Sequence, residues 1–214
     1  KPPAAEVAAR VLASAEGFPL VATLIGGGDR WGSADSVEVA DTVDGGVLAT
    51  LRALERPVPD TTTTVGPSVE DARGRLGPSR RLARGLFSGG SLCYESLVLL
   101  GRALGTVYSN TPLDPALGLP APPGSHLCLD LGEEEFTRGR PHPMIDVEAR
   151  VELLREHATD PDVAVIILDV VLGFGAHPDP AAVLAPECAA IMAANGPQVV
   201  VYVLGTDADP QDRR

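Results

Sequence analysis

The alternation of apolar strands with helices from residue 81 onward constrains the fold of this chain more than any other feature. The strand candidates are RGLFSGG, GTVYSN, HLCLDLG, VAVIILDVVLG and QVVVYVLG, and the helix candidates between them are SLCYESLVLLGRAL, DVEARVELLREHATD and DPAAVLAPECAAIMAANG. Strands that alternate with helices pair in parallel. Because these strands are almost continuously apolar, both faces of the sheet must be covered. We therefore predict an α/β domain over residues 81–214, an open parallel sheet with helices on both faces.

The first 80 residues follow a different pattern. Residues 1–56 contain a helix, the strand FPLVATLIGGG and a second helix after a short extended piece, which are too few elements to close a doubly wound sheet. Residues 57–80 are rich in proline, threonine and glycine, which predicts a linker with about one helical turn. We expect residues 1–56 to be the C-terminal part of a first domain. No helix follows the last strand, so we also expect the second domain to be truncated at its C-terminus.

Charge and composition exclude several classes of protein. A net charge of -12 argues against nucleic-acid binding but allows a local anion site built from backbone N–H groups. We expect no membrane span, because no apolar run reaches about 18 residues, and the first residues lack a signal-peptide pattern. The three cysteines lie inside apolar segments, which predicts reduced, buried thiols and a cytoplasmic protein. The sequence has no HExxH motif and no CxxC pair, so no metal site is predicted.

The first unusual strand end is FSGGSLCYE. Ligands of open α/β sheets bind at the carboxyl ends of the strands, where loops lead into helices. Gly89, Gly90 and Ser91 stand at such a turn, where glycines let the backbone approach a ligand and helix N–H groups point at it. We predict that these residues bind a phosphate or substrate. The alternative is a tight turn with a serine capping the helix.

The second is LDLGEEEFTRGRPHPMID. The strand ends at Gly132, an acidic triplet follows, and His142 lies between two prolines that stiffen the loop. Arg138 and Arg140 on such a loop are suited to clamp a phosphate or carboxylate, with His142 beside them. The alternative is a surface loop whose arginines pair with the glutamates at 133–135.

The third is LDVVLGFGAHPDPA. Asp169 falls inside the strand, so its carboxylate must be hydrogen-bonded or lie near the end of the sheet. Gly173 and Gly175 form the turn, and Asp179 is the expected N-cap of the next helix. His177 beside that helix N-terminus should be neutral, since the helix dipole disfavours the imidazolium. It is then a candidate hydrogen-bonding or nucleophilic group, or a loop residue that satisfies a carbonyl.

RGLFSGGSLCYE, LDLGEEEFTRGRPHPMID and AVIILDVVLGFGAHPDPA resemble the FdrA family, a relative of succinyl-CoA synthetase among the NDP-forming acyl-CoA ligases. The resemblance implies a flavodoxin-like fold for the second domain, preceded by part of another such domain and lacking the N-terminal CoA-binding domain. Gly132, Gly173 and Gly175 match family loops that face the phosphorylated group. The segment GGGDRWGSADSVEVAD departs from the family, because it lacks the histidine that synthetase α-type domains carry in a Gly-His-Ala-Gly context.

The resemblance implies an FdrA-type acyl-CoA synthetase that handles an acyl phosphate, with His142 and His177 as the catalytic candidates. One alternative is a subunit of a carbamoyltransferase that acts on oxalurate or oxamate and carbamoyl phosphate in purine and allantoin degradation. Another is a non-catalytic assembly subunit. A small phosphorylated or acyl substrate, further domains or partner subunits, and an oligomer are expected. CoA and a nucleotide are implied for the complete protein, and none is assigned to this chain.

Overall fold

The computed structural model describes residues 5–15, 18–27, 37–60 and 66–211. Its elements, in chain order, are α1 (Ala5–Ser14), β1 (Leu20–Thr23), β2 (Val37–Ala40), α2 (Val43–Ala53), α3 (Gly66–Arg75), β3 (Leu82–Phe87), α4 (Gly90–Leu104), β4 (Val107–Ser109), a 3-10 turn (Pro115–Leu117), β5 (His126–Asp130), α5 (Glu134–Thr137), α6 (Glu148–Ala158), β6 (Val163–Val171), α7 (Pro180–Ala193) and β7 (Gln198–Leu204). They group into two compact units, residues 1–64 with 94–105, and residues 65–93 with 106–214. The predicted boundaries at residues 56 and 81 stay a prediction.

The first unit contains a parallel pair of short strands, β1 and β2, against which α2 packs. Thr42 caps α2, because its hydroxyl oxygen accepts a hydrogen bond from the N–H of Gly45. The N–H of Val43 donates to the carboxylate of Glu95, which joins α4 to this unit. Most of the segment that lacks the family histidine, residues 28–36, lies outside the described residues.

The second unit contains the predicted parallel sheet, with all five strand candidates present in the order β4-β5-β3-β6-β7. The predicted α/β class with a parallel sheet flanked by helices is thereby confirmed. Numbered within the unit, the order is 2-3-1-4-5, which differs from the 2-1-3-4-5 of flavodoxin in the position of one strand. The chain leaves β3 toward β4 at one edge and leaves β6 toward β7 at the other. A topological switch point, where a ligand crevice is expected, therefore lies between β3 and β6.

The core of the second unit lies where α6 and α7 meet the sheet. Every residue of β3 is buried, as expected for a strand covered on both faces. The buried cluster consists of Leu82, Leu86, Leu129, Leu131, Leu154, Val163, Ile166, Leu168 and Cys188. Each fully buried leucine or isoleucine contributes about 1.5–3 kcal/mol to folding. All three cysteines are buried free thiols, which confirms that part of the expectation.

The edge strand β7 is more exposed than the interior strands, and the segment 57–80 contains a longer helix than predicted. The edge strand β7 leaves Val200, Val201, Tyr202 and Val203 between 41% and 54% exposed, so it presents apolar surface. Within residues 57–80 the structure forms α3, which has ten residues and is longer than the single turn predicted. Among the described residues, no helix combines the length and hydrophobicity that a membrane crossing requires.

Candidate functional site

The loops after β3, β5 and β6, which are predicted to bind a ligand, meet at the carboxyl end of the sheet. Met144, in the loop after β5, contacts the other two. Its carbonyl oxygen accepts a hydrogen bond of 2.7 Å from the N–H of His177, in the loop after β6. Its methyl carbon lies 3.3 Å from the position that a Cβ at Gly89 would take, in the loop after β3. Because parallel strands end at one edge, loops distant in sequence converge there. The structure thus brings the segments of Gly89, His142 and His177 together.

The segment after β7 reaches the same loops through Gln211, a buried side chain that sequence reasoning missed. The amide oxygen of Gln211 accepts from the N–H of Gly173 at 2.9 Å, and its nitrogen donates to the carbonyls of Gly173 and His177 at 3.0 and 3.1 Å. Gly173 and Gly175 have φ angles of 141° and 88°, which side-chain-bearing residues rarely adopt. Between them Phe174 stands 89% exposed at the loop tip.

A buried ionic network connects the end of β3 with β6 and α6 at the switch point. The carboxylate of Asp169 accepts bonds from the N–H and the hydroxyl of Ser88, each at 2.7 Å. Arg150 donates to the same carboxylate at 3.0 Å and to the carbonyl oxygens of Asp169 and Leu86. Burial lowers the pKa of Arg150, and the charge of Asp169 opposes that shift. The expectation that Asp169 must be hydrogen-bonded is confirmed, and the network fixes the strand ends at the switch point.

Arg150 was not among the predicted site residues, although the sequence carries a signal for it. The arginine lies on the face of α6 that also presents Val151 and Leu154 to the core. A charged residue on a core-facing helix surface is rarely buried unless it is paired. Its pairing with a carboxylate inside a neighbouring strand could have been anticipated, but the identity of that carboxylate could not.

Asp130 and His142 form a second polar cluster, beside this network. Asp130 is 4% exposed, and its Oδ1 atom accepts a 2.9 Å bond from the N–H of Gly132. A Cβ placed on Gly132 would lie 2.8 Å from His142 Nε2, 3.0 Å from the Ser88 carbonyl oxygen and 3.2 Å from Asp130 Oδ1. Three polar atoms thus surround a point that only glycine leaves open. This close approach, rather than a positive φ, is the reason for glycine at 132.

Burial raises the pKa of Asp130, and the neighbouring charges modify that effect. The carboxylates of Glu133 and Asp169 raise the pKa further, whereas the bond from Gly132 and the proximity of His142 lower it. The backbone of Asp130 is held by Asn110, which accepts from its N–H and donates to its carbonyl, both at 2.9 Å. Asp130 is therefore a fixed acidic group at the strand ends, and it too was absent from the predicted site residues.

Both candidate histidines have the same arrangement of ring nitrogens. His142 Nδ1 accepts from the N–H of Met144 at 3.3 Å, and His177 Nδ1 accepts from the N–H of Asp179 at 3.1 Å. A nitrogen that accepts a hydrogen bond carries no proton, so in the neutral ring the proton is on Nε2. Each histidine therefore offers an Nε2–H donor rather than a nucleophilic Nε2 lone pair.

The structure divides the predicted phosphate-binding residues according to whether their N–H groups are already used. Gly132 donates to Asp130 and Gly173 donates to Gln211. By contrast, the N–H groups of the α4 start have no acceptor among the described residues; these are Gly89, Gly90 and Ser91. The hydroxyl of Ser88 binds Asp169 and does not cap the helix. The turn into α4 is consequently the part of the predicted site that remains open to a ligand.

The two predicted arginines lie away from this turn. Arg138 forms a 3.1 Å ion pair with Glu134, one helical turn earlier, and both side chains are largely exposed. Arg140 lies 3.6 Å from Glu152 of α6. The pairing of Arg138 with the acidic triplet is the alternative raised from the sequence, and a ligand role for either arginine stays a prediction. Asp179, by contrast, caps α7 as predicted, accepting from the N–H of Ala182 at 2.9 Å with Pro180 at the first helical position.

Two comparisons with known proteins bear on the family of this chain. Residues 86–214, which include every residue of the candidate site after β3, match the family model described as CoA-ligase. The chain is also 40% identical over 220 residues to the "Uncharacterized protein YahF" of Escherichia coli (strain K12). The match covers 98% of this chain and 43% of YahF, so the chain spans less than half of that relative.

Proposed function

Because the chain belongs to the CoA-ligase family, we propose that it supplies the part of an acyl-CoA ligase that holds the phosphoryl group of an acyl phosphate. The FdrA type is the member of that family we favour, on the resemblance of its strand-end motifs. The observation that carries the proposal is the open turn at the start of α4, where three consecutive N–H groups have no acceptor among the described residues. Helix N-termini with free N–H groups bind phosphate through hydrogen bonds and the helix dipole.

The surroundings of the turn fit the same ligand. α4 has 15 residues, so its N-terminal dipole is fully developed. The loops of His142 and His177 reach this turn through Met144, and each histidine offers an Nε2–H donor. The network of Asp169, Ser88 and Arg150 holds the preceding strand in place. The N–H groups of the turn and the two histidine rings are thus held by other contacts. They can donate to a ligand without rearranging when it binds.

The chemistry that such donors support is electrostatic. When an acceptor attacks the carbonyl carbon of an acyl phosphate, the new bond forms as the bond from carbon to the phosphate oxygen breaks, and negative charge grows on the departing phosphate. N–H groups aimed at those oxygens stabilise that charge. Protonation of His142 and His177 at Nε2 supports a role as hydrogen-bond donors or proton carriers over a phosphohistidine. Carbamoyl phosphate presents the same phosphoryl group as an acyl phosphate. Selectivity between these two substrates must therefore come from contacts with the acyl or carbamoyl group.

Binding of acetyl phosphate, carbamoyl phosphate and inorganic phosphate tests the proposal. Gly90→Pro removes one N–H group at the first helical position, where proline is well tolerated. Ser91→Ala keeps its N–H and serves as the control. A ligand at 100 times its Kd stabilises the fold by about 2.7 kcal/mol, which a thermal melt detects. We expect stabilisation of the wild type and of Ser91→Ala by an acyl phosphate, and its weakening in Gly90→Pro. Equal stabilisation of all three proteins, or of none, would contradict the proposal.

A further inference from the structure

Gln211 uses every hydrogen-bonding group of its amide on one loop of the candidate site. The amide oxygen accepts from the N–H of Gly173, and the amide nitrogen donates to the carbonyl oxygens of Gly173 and His177. A primary amide has two N–H donors, so both are taken up by these two carbonyls. The side chain is buried, with 7% of its surface exposed. Gln211 is therefore committed to the loop 173–177 and not to solvent.

The segment after β7 is folded so that it brings this amide to the loop. Thr206 and Asp209 close a turn, in which the Asp209 carboxylate accepts from the N–H and the hydroxyl of Thr206. The N–H of Asp209 donates back to the carbonyl of Thr206. Gly173 lies next to this turn, since a Cβ placed on it would be 3.9 Å from Asp209 Oδ1. The loop after β7 therefore contacts the loop after β6, beside the loops that follow β3 and β5.

His177 is held at three points by groups from three parts of the chain. Its N–H donates to the carbonyl of Met144 at 2.7 Å, and its carbonyl accepts from Gln211 at 3.1 Å. Its Nδ1 atom accepts from the N–H of Asp179 at 3.1 Å. The first two bonds fix the peptide units on both sides of the residue, and the third fixes the ring and its tautomer. The part of the ring that is left for a ligand is the Nε2–H donor.

His142 differs from His177 in the source of this restraint. The carbonyl of His142 accepts from the N–H groups of Ile145 and Asp146 in its own loop, at 2.8 and 3.0 Å. The carbonyl of His177 instead depends on Gln211, which lies 34 positions away in the chain. The loop of His177 also contains two glycines at positive φ, which leave its backbone freer than an ordinary loop. His177 therefore needs a restraint from outside its own loop, and His142 does not.

We propose that Gln211 is a positioning residue of the site that acts through His177: its amide holds the His177 carbonyl, so that the Nε2–H donor stays directed at the bound phosphoryl group. The inference rests on the proposed function and adds to it a residue of the segment after β7. A donor that is oriented before binding loses little conformational freedom when the anion arrives. Removal of the Gln211 amide should therefore weaken anion binding only where His177 is present to make the contact.

A double-mutant cycle between Gln211 and His177 tests the inference. The probe is inorganic phosphate, and its Kd for the 214-residue chain would be measured at constant pH and ionic strength from the amide NMR signals of residues 89–91. Gln211→Ala should weaken phosphate binding about 2- to 12-fold, the range expected for one hydrogen bond. In the His177→Ala background the same substitution should change the Kd by less than about twofold. Gln198→Ala, a glutamine at the opposite end of β7, is the matched control and should bind phosphate like the wild type.

The ring signals of the histidines give a second readout that does not depend on a ligand. Long-range proton–nitrogen correlation spectra distinguish a protonated ring nitrogen from an unprotonated one. Gln211→Ala should shift and broaden the ring signals of His177 and leave those of His142 unchanged, because the loop of His142 holds its own carbonyl. Gln211→Met fills the same space without hydrogen-bonding groups and takes the place of Gln211→Ala if that variant does not fold.

The outcomes separate the two proposals. A loss of phosphate affinity in Gln211→Ala that disappears in the His177→Ala background supports the inference. An equal loss in both backgrounds, no loss in Gln211→Ala, or unchanged ring signals of His177 overturns it and leaves the phosphoryl site standing. Failure of phosphate to shift the amide signals of residues 89–91 in the wild type overturns the phosphoryl site and this inference together.

Discussion

Replacing Arg150 by methionine should cost the protein about 3–5 kcal/mol of folding stability. The side chain is 2% exposed, and its guanidinium donates to the carboxylate of Asp169 and to the carbonyls of Leu86 and Asp169. Methionine has similar length and no charge, so it fills the space but leaves the Asp169 carboxylate buried without a counter-ion. Removing one partner of a buried pair is far more costly than removing both, since an uncompensated charge remains.

Thermal and urea unfolding would measure the effect. For a protein of 214 residues the expected loss corresponds to a fall in Tm of about 6–20 °C. The double variant Arg150→Met with Asp169→Asn removes both charges and should recover part of the loss, because the asparagine oxygen still accepts from Ser88.

Arg155→Met is the matched control, since Arg155 lies on the same helix and pairs with Glu187 on the exposed surface. Its Tm should stay close to that of the wild type, because exposed ion pairs contribute little. An Arg150→Met protein as stable as Arg155→Met, or a double variant less stable than Arg150→Met, would refute the account of the buried network.

Three further predictions concern the strand-end loops. Burial raises the pKa of Asp130 above its ordinary value of 3.8, so the folded state holds the proton to higher pH than the unfolded state. The stability of the protein should therefore fall as pH rises from about 4 through the raised pKa. Asp130→Asn should lose this pH dependence and unfold at a higher urea concentration than the wild type at pH 7, and parallel stability–pH profiles of the two proteins would contradict this prediction. Gln211→Ala removes the acceptor of the Gly173 N–H and the donor to the His177 carbonyl. Amide exchange at Gly173 should therefore accelerate about 5- to 150-fold, the equivalent of 1–3 kcal/mol, whereas an unchanged rate would mean that the loop holds without Gln211. Gly132→Ala places a methyl group 2.8 Å from His142 Nε2 and 3.0 Å from a backbone oxygen, so it should lower the free energy of unfolding by about 1–3 kcal/mol in a urea melt. The control Gly101→Ala in α4, where a Cβ meets nothing within 4 Å, should be neutral or stabilising. Equal effects of the two substitutions would speak against crowding at Gly132.

Several features of the fold followed directly from local sequence. Apolar runs alternating with helices predicted the five parallel strands. A strand that is buried on both faces is apolar along its whole length and does not alternate polar with apolar residues. Asp179 and Pro180 predicted the start of α7, because a cap is decided by three or four neighbouring residues. The position of Asp169 inside an apolar strand required a hydrogen-bond partner, although the sequence did not name it.

Tertiary structure decided which polar groups meet. Arg150 finds Asp169 from a different element, and Asp130 approaches His142 only because the loop after β5 folds back over Gly132. The glycines at 132 and 173 looked equivalent to those at 89 and 90, yet the first pair has N–H groups bound to side chains and the second pair does not.

The reason for this division is the range of the interactions. Periodicity, capping and turn chemistry act within a few residues, so the sequence displays them. Which donors stay open depends on strand order and on side chains that arrive from distant segments, such as Gln211 reaching Gly173. The sequence by itself therefore determined the α/β class and the edge of the sheet where a site is proposed. Only the packed structure brought Asp130 and Arg150 to that edge and left N–H groups at the start of α4 without an acceptor among the described residues.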